Sequence, residues 1–256
     1  RVDDIDAARL IARDIEHRNQ AADVKMIITV DDERVLQHID DALPHSPTVQ
    51  WRVSLHGQRL GWLSLTDGIA GADARFPRPT GDAAPKNTDR MLLYFTSGTT
   101  GMPKMVDHDY TYPLGHILTA RYWQRVIPNG LHLTVADTGW AKAAWGKIYG
   151  QWLAGSAIFV YDLERFDPKR LLEVISEHGV TSFCAPPTIY RMLVVEDLKS
   201  YKLDRLVQVT AAGEPLNPET IKQFFEATGL KIREGFGQTE TVVALANYQW
   251  FEPKLG

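Results

Sequence analysis

The chain has 256 residues, of which 44% are hydrophobic and 23% are charged. This composition is that of an ordinary globular protein, and it excludes intrinsic disorder and fibrous repeats. The 28 Lys and Arg residues are balanced by 32 Asp and Glu residues, giving a net charge of −4, so no strong positive field attracts nucleic acid or an anionic membrane. The length suits one large domain or two closely packed lobes.

Cys184 is the only cysteine, which excludes an intramolecular disulfide and a cysteine-based zinc site and is typical of a reducing compartment. Its apolar neighbours predict that its side chain is buried. No apolar run approaches the roughly 20 residues of a membrane-spanning helix, and no signal-peptide pattern is present. We therefore expect a cytoplasmic protein with no membrane span. The chain opens at Arg1 without a methionine, which is compatible with a fragment.

The first 90 residues predict two helix–strand steps followed by a long loop. Apolar residues recur at helical spacing, and each helical pattern precedes a β-branched, apolar run. The loop is rich in Gly and Pro, so we place a border between a partial first lobe, 1–85, and a second lobe, 86–256. The predicted elements are a helix over 6–22, a strand over 24–30, a helix over 31–43, a strand over 49–55 and the loop over 66–89.

Beyond residue 90, predicted strands and helices alternate regularly. Strands rich in Val, Leu and Ile that are separated by helices favour a parallel sheet covered on both faces. The predicted fold class is therefore α/β, with doubly wound, mostly parallel sheets. The last helix is signalled by Asn217 as N-cap, Pro218 in the first turn and Gly229 as stop. The strands are predicted over 91–96, 131–136, 157–161, 181–185 and 206–211, and the other helices over 113–125, 142–153, 168–178 and 188–196.

The segment YFTSGTTGMPKMV, residues 94–106, places hydroxyls, glycines and a lysine directly after an apolar strand. Glycines let backbone amides approach phosphate oxygens, hydroxyls donate hydrogen bonds and the lysine neutralises charge. The spacing is not that of a Walker A loop. A flexible polar turn is the alternative, and we favour a phosphate loop. Its candidate residues are Thr96, Ser97, Gly98, Thr99, Thr100, Gly101 and Lys104.

The segment TSGTTGMPK resembles the signature loop of the adenylate-forming superfamily, which includes acyl-CoA synthetases, luciferases and peptide-synthetase adenylation domains. A second segment, EGFGQTET at 234–241, resembles the downstream signature of that family and stands in the expected order. The resemblance is weak before residue 85 and strong over 91–241. The segments DTGW at 137–140 and APPT at 185–188 are most similar to those of acetyl-CoA and medium-chain acyl-CoA synthetases.

The resemblance implies roles for the residues of these segments. Phe236, where the family often has tyrosine, would lie against adenine, Thr239 would contact the α-phosphate and Glu240 would bind Mg²⁺. Lys104, Thr239 and Glu240 are thus the catalytic candidates. Other nucleotide-binding candidates are Gly213, Glu214 and Pro215, from the segment AAGEPL, and Glu234, Gly235, Gly237 and Gln238, from the second signature.

The acyl pocket would be bordered by Trp140 and by the turn formed by Ala185, Pro186 and Pro187, whereas Trp145, Tyr149 and Trp152 are assigned to core packing. Because ligands of open parallel sheets bind beyond the carboxyl ends of the strands, we expect Thr96, Gly213 and a turn at Phe236 to lie there.

The implied activity is that of an AMP-forming carboxylate–CoA ligase, an acid–thiol ligase of fatty acid metabolism. It would use ATP and Mg²⁺, with CoA as co-substrate, to activate a short- or medium-chain carboxylic acid. Family members carry a further small C-terminal domain with a lysine that assists adenylation, so this chain by itself is expected to be impaired. Two alternatives remain open: a non-catalytic module that binds AMP or an acyl adenylate, and adenylation with transfer to an acceptor other than CoA. The oligomeric state is not predicted.

Overall fold

The computed structural model describes residues 11–96, 102–162 and 165–253. The chain divides into two compact units after Tyr110. The strands over 90–96 and 104–109 pair with each other and both belong to the first unit. The lobe border near residue 85 rests on loop composition and stays a prediction.

The described part of the first unit contains a three-stranded parallel sheet, in the order β1–β2–β3, and a two-stranded antiparallel sheet, β4–β5. Asp32 caps α2 by accepting hydrogen bonds from the amides of Arg34 and Val35. The loop predicted over 66–89 is interrupted by the short helix α3, which Ser64 caps. The elements are α1 (Ala12–Ala21), β1 (Met26–Thr29), α2 (Glu33–Ala42), β2 (Trp51–Ser54), β3 (Leu63–Ser64), α3 (Leu65–Ala70), β4 (Arg90–Thr96) and β5 (Lys104–Asp109).

The second unit is built on a six-stranded sheet in the order β11–β10–β9–β8–β6–β7. All neighbouring strands are parallel except β10 and β11. The elements are α4 (Tyr112–Leu118), β6 (Leu131–Thr134), α5 (Ala141–Ala143), α6 (Tyr149–Leu153), β7 (Ala157–Ile158), α7 (Pro168–His178), β8 (Ser182–Ala185), α8 (Pro187–Leu193), β9 (Gln208–Ala212), α9 (Pro218–Thr228), β10 (Ile232–Gln238) and β11 (Val242–Ala246).

The two faces of this sheet differ in chemistry because side chains alternate along each strand. One face carries Leu133, Phe183 and Val209, which belong to an apolar core shared with α7, α8 and α9. The other face carries buried polar side chains, among them His132 and Ser182. His132 reaches the carbonyl of Gly146 in the segment that joins α5 to α6. Helices therefore cover both faces, and the predicted α/β fold class is confirmed.

Two helices that the sequence predicts as continuous contain π turns. The helix predicted over 113–125 is α4 followed by a π turn, Thr119–Trp123, and the helix predicted over 142–153 is α5, a π turn, Ala144–Ile148, and α6. Gly150 lets the two segments approach closely, since a Cβ there would lie 2.5 Å from the His116 carbonyl oxygen. Hydrophobic spacing does not distinguish a π turn from an α-helical turn.

Candidate functional site

The candidate residues of the second unit lie at or just beyond the ends of strands that run in parallel, so they share the carboxyl edge of the sheet. Ala185 ends β8, Gly213 follows β9 and Gln238 ends β10, while Trp140, the N-cap of α5, follows β6. This is the edge at which open α/β sheets bind ligands. Three side chains, those of Lys142, Glu214 and Glu234, tie these segments together.

Glu214 joins the turn after β9 to the start of α8. Its Oε1 accepts hydrogen bonds from the backbone amide of Thr188, at 3.0 Å, and from the Thr188 hydroxyl. Its Oε2 lies 3.1 Å from Nη2 of Arg191. The hydrogen bond from the Thr188 side chain, supported by Arg191, lowers the pKa of Glu214. The carboxylate is thus ionised and engaged by protein groups at neutral pH.

Glu234 joins β10 to the segment that leads into α9. Its carboxylate accepts a hydrogen bond of 3.0 Å from the amide of Leu216, and its carbonyl accepts one of 2.9 Å from the amide of Asn247. The side chain therefore orients the AAGEPL segment relative to the second signature. The nucleotide-binding roles of Glu214 and Glu234 stay predictions, but in this structure both carboxylates bond to protein groups.

The second signature lies within β10 and does not follow a strand, so the expected turn at Phe236 is wrong. Phe236 pairs with Leu245 of β11, and its side chain is 58% exposed. The glycines on either side have close neighbours. A Cβ at Gly235 would lie 2.5 Å from the ring of Trp123, and a Cβ at Gly237 would lie 1.9 Å from the Val242 carbonyl oxygen. These contacts explain why glycine flanks the aromatic residue.

The turn that follows β10 carries Thr239 and Glu240. Thr241 closes it, because its hydroxyl accepts from the amide of Gln238 at 3.2 Å and its amide donates to the Gln238 carbonyl. Glu240 is exposed at the tip. The described residues form no cluster of three or more metal-ligating side chains. A lone exposed carboxylate fits Mg²⁺, which is usually held by one or two carboxylates together with substrate phosphates and water.

The first signature belongs to the first unit. Thr96 ends β4 and lies opposite Lys104, the first residue of β5. Lys104 is exposed. The expectation that Thr96 ends a strand of an open parallel sheet is wrong, because β4 pairs with β5 in an antiparallel sheet. Five candidate residues lie outside the described residues: Ser97, Gly98, Thr99, Thr100 and Gly101.

The candidate acyl-pocket residues differ in exposure. Trp140 is 47% exposed, Pro186 is half-buried, and Ala185 and Pro187 are buried. Trp145 is buried, as predicted for a core residue, and Cys184 is fully buried. The core assignment of Trp152 is wrong, since this side chain is 63% exposed.

Lys142 is a site residue that the sequence reasoning did not identify. Its Nζ donates a hydrogen bond of 2.9 Å to the carbonyl of Ala212, the last residue of β9. Burial lowers the pKa of this lysine, and the nearby Cys184 and Glu214 partly offset the effect. A lysine inside the otherwise apolar run WAKAAW was the available signal.

The sequence model of a family described as AMP-binding enzyme matches residues 7–255. Two curated relatives are each 37% identical to the chain: the mitochondrial acyl-coenzyme A synthetases ACSM3 of Mus musculus and ACSM4 of Homo sapiens. Each alignment covers 97% of this chain and 42% of the relative. The chain therefore spans less than half the length of the curated relatives it matches.

Solved structures agree in fold. An acyl-CoA synthetase of Brucella canis superposes with a TM-score of 0.80 at 24% identity, covering 97% of this chain and 44% of that one. The anthranilate CoA ligase AuaEII, in complex with anthranoyl-AMP, gives a TM-score of 0.81 at 23% identity, covering 94% and 46%. Within the described residues, no helix is long and apolar enough to cross a membrane. Since the family match extends over almost the whole sequence, the chain belongs to the family of AMP-binding enzymes.

Proposed function

We propose that this chain is the nucleotide- and acid-binding part of an AMP-forming acyl-CoA synthetase that activates a short- or medium-chain carboxylic acid. The observation that carries the proposal is the meeting of the AAGEPL, APPT, DTGW and EGFGQTET segments at one edge of the sheet. Direct hydrogen bonds join them: Glu214 and Glu234 accept from backbone amides, and Lys142, two residues after DTGW, donates to the carbonyl of Ala212. The names of the two curated relatives reported above, both acyl-coenzyme A synthetases, support the same reaction class.

In the proposed reaction, a carboxylate oxygen of the acid attacks the α-phosphorus of ATP. The bond to pyrophosphate breaks and an acyl adenylate forms; the thiol of CoA then displaces AMP to give a thioester. Phe236 offers an exposed ring for stacking against adenine. Thr239 donates a hydrogen bond to the α-phosphate. The role of Lys104 in neutralising phosphate charge stays a prediction from the first signature. Glu240 would hold Mg²⁺, which supplies charge neutralisation at the phosphates.

The acid is selected by an apolar pocket bordered by Trp140 and the Ala185–Pro187 turn. Each methylene buried there contributes about 0.8 kcal/mol, so affinity rises with tail length until the pocket is full. A cytoplasmic location stays a prediction that rests on the single cysteine; the two relatives named above are mitochondrial proteins.

Calorimetric titration with non-hydrolysable acyl-adenylate analogues and Mg²⁺ tests the binding part of the proposal. Tails of about two to ten carbons should bind with affinity that increases to a limit. Phe236→Ala should weaken binding about tenfold, because the loss of a base–aromatic stack costs roughly 1–3 kcal/mol. Phe225→Ala is the matched control, since Phe225 is an exposed phenylalanine on α9. Equal losses in both variants would contradict the assignment of Phe236 to adenine.

Catalysis is tested on the full-length protein that contains this chain. Pyrophosphate release that depends on ATP and a carboxylic acid establishes adenylation and excludes a non-catalytic binding module. Thioester formation that depends on CoA then separates a CoA ligase from an enzyme with another acceptor. A folded full-length protein that neither binds the analogues nor releases pyrophosphate would contradict the proposed function.

A further inference from the structure

Helix α8 begins at a pair of prolines and has no capping side chain of its own. Its N-cap is Pro186, which makes no side-chain hydrogen bond to the first turn. Glu214 supplies the missing acceptor from another element, since its carboxylate binds the amide and the hydroxyl of Thr188. A carboxylate is also favoured there by the helix dipole. The start of α8 is therefore completed by the turn after β9.

Arg191 completes this arrangement. It lies one turn along α8 from Thr188, and its Nη2 donates to the Thr188 hydroxyl oxygen at 2.7 Å and to Glu214 Oε2 at 3.1 Å. The Thr188 hydroxyl in turn donates to Glu214 Oε1. Three side chains thus form a closed hydrogen-bonded cluster, hereafter the 188–191–214 cluster. Arg191 belongs to none of the candidate sets that the sequence indicates.

The turn that Glu214 anchors is held at its flanks, since Lys142 binds the carbonyl of Ala212 and Glu234 binds the amide of Leu216, and its middle is open. Gly213 has a φ of +119°, and no heavy atom outside residues 212–214 lies within 4 Å of the position that its Cβ would occupy. Residues 213–215 are all exposed. The bond from Glu214 to α8 therefore links this open middle directly to the Ala185–Pro187 turn immediately before Thr188.

We infer that Arg191 is a positioning residue which, by holding Glu214 against Thr188, keeps the nucleotide-binding turn in register with the turn that borders the proposed acyl pocket. This inference rests on the proposed function. Glu214 serves the nucleotide through the position of its backbone, and its carboxylate is not a ligand. Adenine and acid sites are thereby coupled through one ion pair at the edge of the sheet.

A double-mutant cycle tests the inference by calorimetry on this chain with an acyl-adenylate analogue and with AMP. Arg191→Met and Glu214→Gln should each weaken binding of the analogue about five- to tenfold, and the double variant should lose no more than either single one. Arg191→Lys, which keeps the charge but not the fork geometry, should lose less. Arg170→Met, which removes an exposed ion pair with Glu173 on α7, is the matched control and should bind as the parent does.

Two outcomes would overturn the inference. Affinities unchanged in folded Arg191→Met would reduce the cluster to a stabilising role. Additive losses, with Glu214→Gln much the more damaging, would make the carboxylate a direct ligand.

Failure of the parent chain to bind any analogue counts against the proposed function, and the cluster is then tested by NMR. Arg191→Met should shift the amide resonances of both Thr188 and Gly213, whereas Arg170→Met should shift neither. An unmoved Gly213 resonance in Arg191→Met would refute the coupling between the two turns.

Discussion

The buried imidazole of His132 should make the second unit unstable in mild acid. This side chain is fully buried on the polar face of the sheet. Its Nδ1 accepts a hydrogen bond from the Ser182 hydroxyl at 2.7 Å, and its Nε2 donates one to the Gly146 carbonyl at 2.8 Å. Both ring nitrogens are therefore satisfied in the neutral form. Protonation would place a second N–H against the Ser182 hydroxyl and leave a charge in a site without solvent.

The size of this loss of stability follows from the pKa of His132. Burial, together with the nearby charge of Lys147, lowers the pKa of His132 from 6.5 to about 4, against a smaller opposing effect of the Gly146 carbonyl. The unfolded chain thus takes up a proton near pH 6.5, whereas the folded chain resists until about pH 4. The stability that depends on a neutral His132 is fully present above pH 6.5 and is lost as the pH falls toward 4. A shift of this size corresponds to about 3 kcal/mol in the free energy of unfolding.

Urea unfolding followed by tryptophan fluorescence across this pH range measures the effect. His132→Gln should be less stable than the parent at neutral pH, and its free energy of unfolding should fall less between pH 6.5 and 4, by about 3 kcal/mol. His45→Gln removes an exposed histidine of the first unit and should follow the parent curve. Parallel pH curves for the parent and His132→Gln would refute the assignment of a neutral, buried imidazole.

Two further substitutions probe the edge of the sheet. Gly237→Ala should lower the free energy of unfolding by about 1–3 kcal/mol, because its Cβ would collide with the Val242 carbonyl oxygen. Gly115→Ala is the control and should not lower it, since nothing lies near its Cβ. Equal losses of stability in the two variants, measured by urea unfolding, would contradict the collision. Lys142→Met should flatten the pH dependence of stability below pH 10.5, because the folded parent releases this proton at lower pH than the unfolded chain and therefore gains stability as pH rises. Lys199→Met, at an exposed lysine, is the control. If urea unfolding at several pH values shows that Lys142→Met leaves the pH dependence of the free energy of unfolding unchanged, the buried ammonium is contradicted.

Local chemistry was sufficient to predict helix α9. Asn217 accepts from the amide of Glu219, Pro218 begins the helix and Gly229 ends it with a φ of +75°. All three signals act within one turn of the residue that carries them, so they can be recognised from the sequence alone. The same reasoning did not find β5 or β11, whose pairing partners determine them as strands.

The polar face of the six-stranded sheet was beyond sequence reasoning for a different reason. Apolar strands separated by helices predict burial, but they do not say what the second face packs against. His132 and Ser182 are buried there because they hydrogen-bond to each other and because Gly146 presents its carbonyl to His132. That carbonyl is brought into reach by a π turn, which no hydrophobic period signals.

The site shows the same division between local signals and non-local contacts. The motifs of the second unit lie at the carboxyl edge of its sheet, as the predicted strands indicate. The first signature does not, because β4 belongs to an antiparallel sheet. The motifs did not reveal that Glu214 caps a helix whose first turn is 26 residues away. A cap supplied by a distant residue leaves no pattern at the helix itself, where the sequence shows only Pro186 and Pro187.

The backbone is strained at Val242, next to the second signature. Val242 has a φ of +59°, a left-handed conformation that costs an L-residue roughly 1–2 kcal/mol. It persists because Val242 pairs with Gln238 across the turn and because Gly237 leaves room for the Val242 carbonyl. The pairing of β10 with β11 therefore enforces a turn that a β-branched residue would not adopt alone, and this turn projects Glu240 into solvent. Relaxing the strain would move the carboxylate proposed to hold Mg²⁺, so the geometry of β11 bears on the site although none of its residues is a candidate ligand.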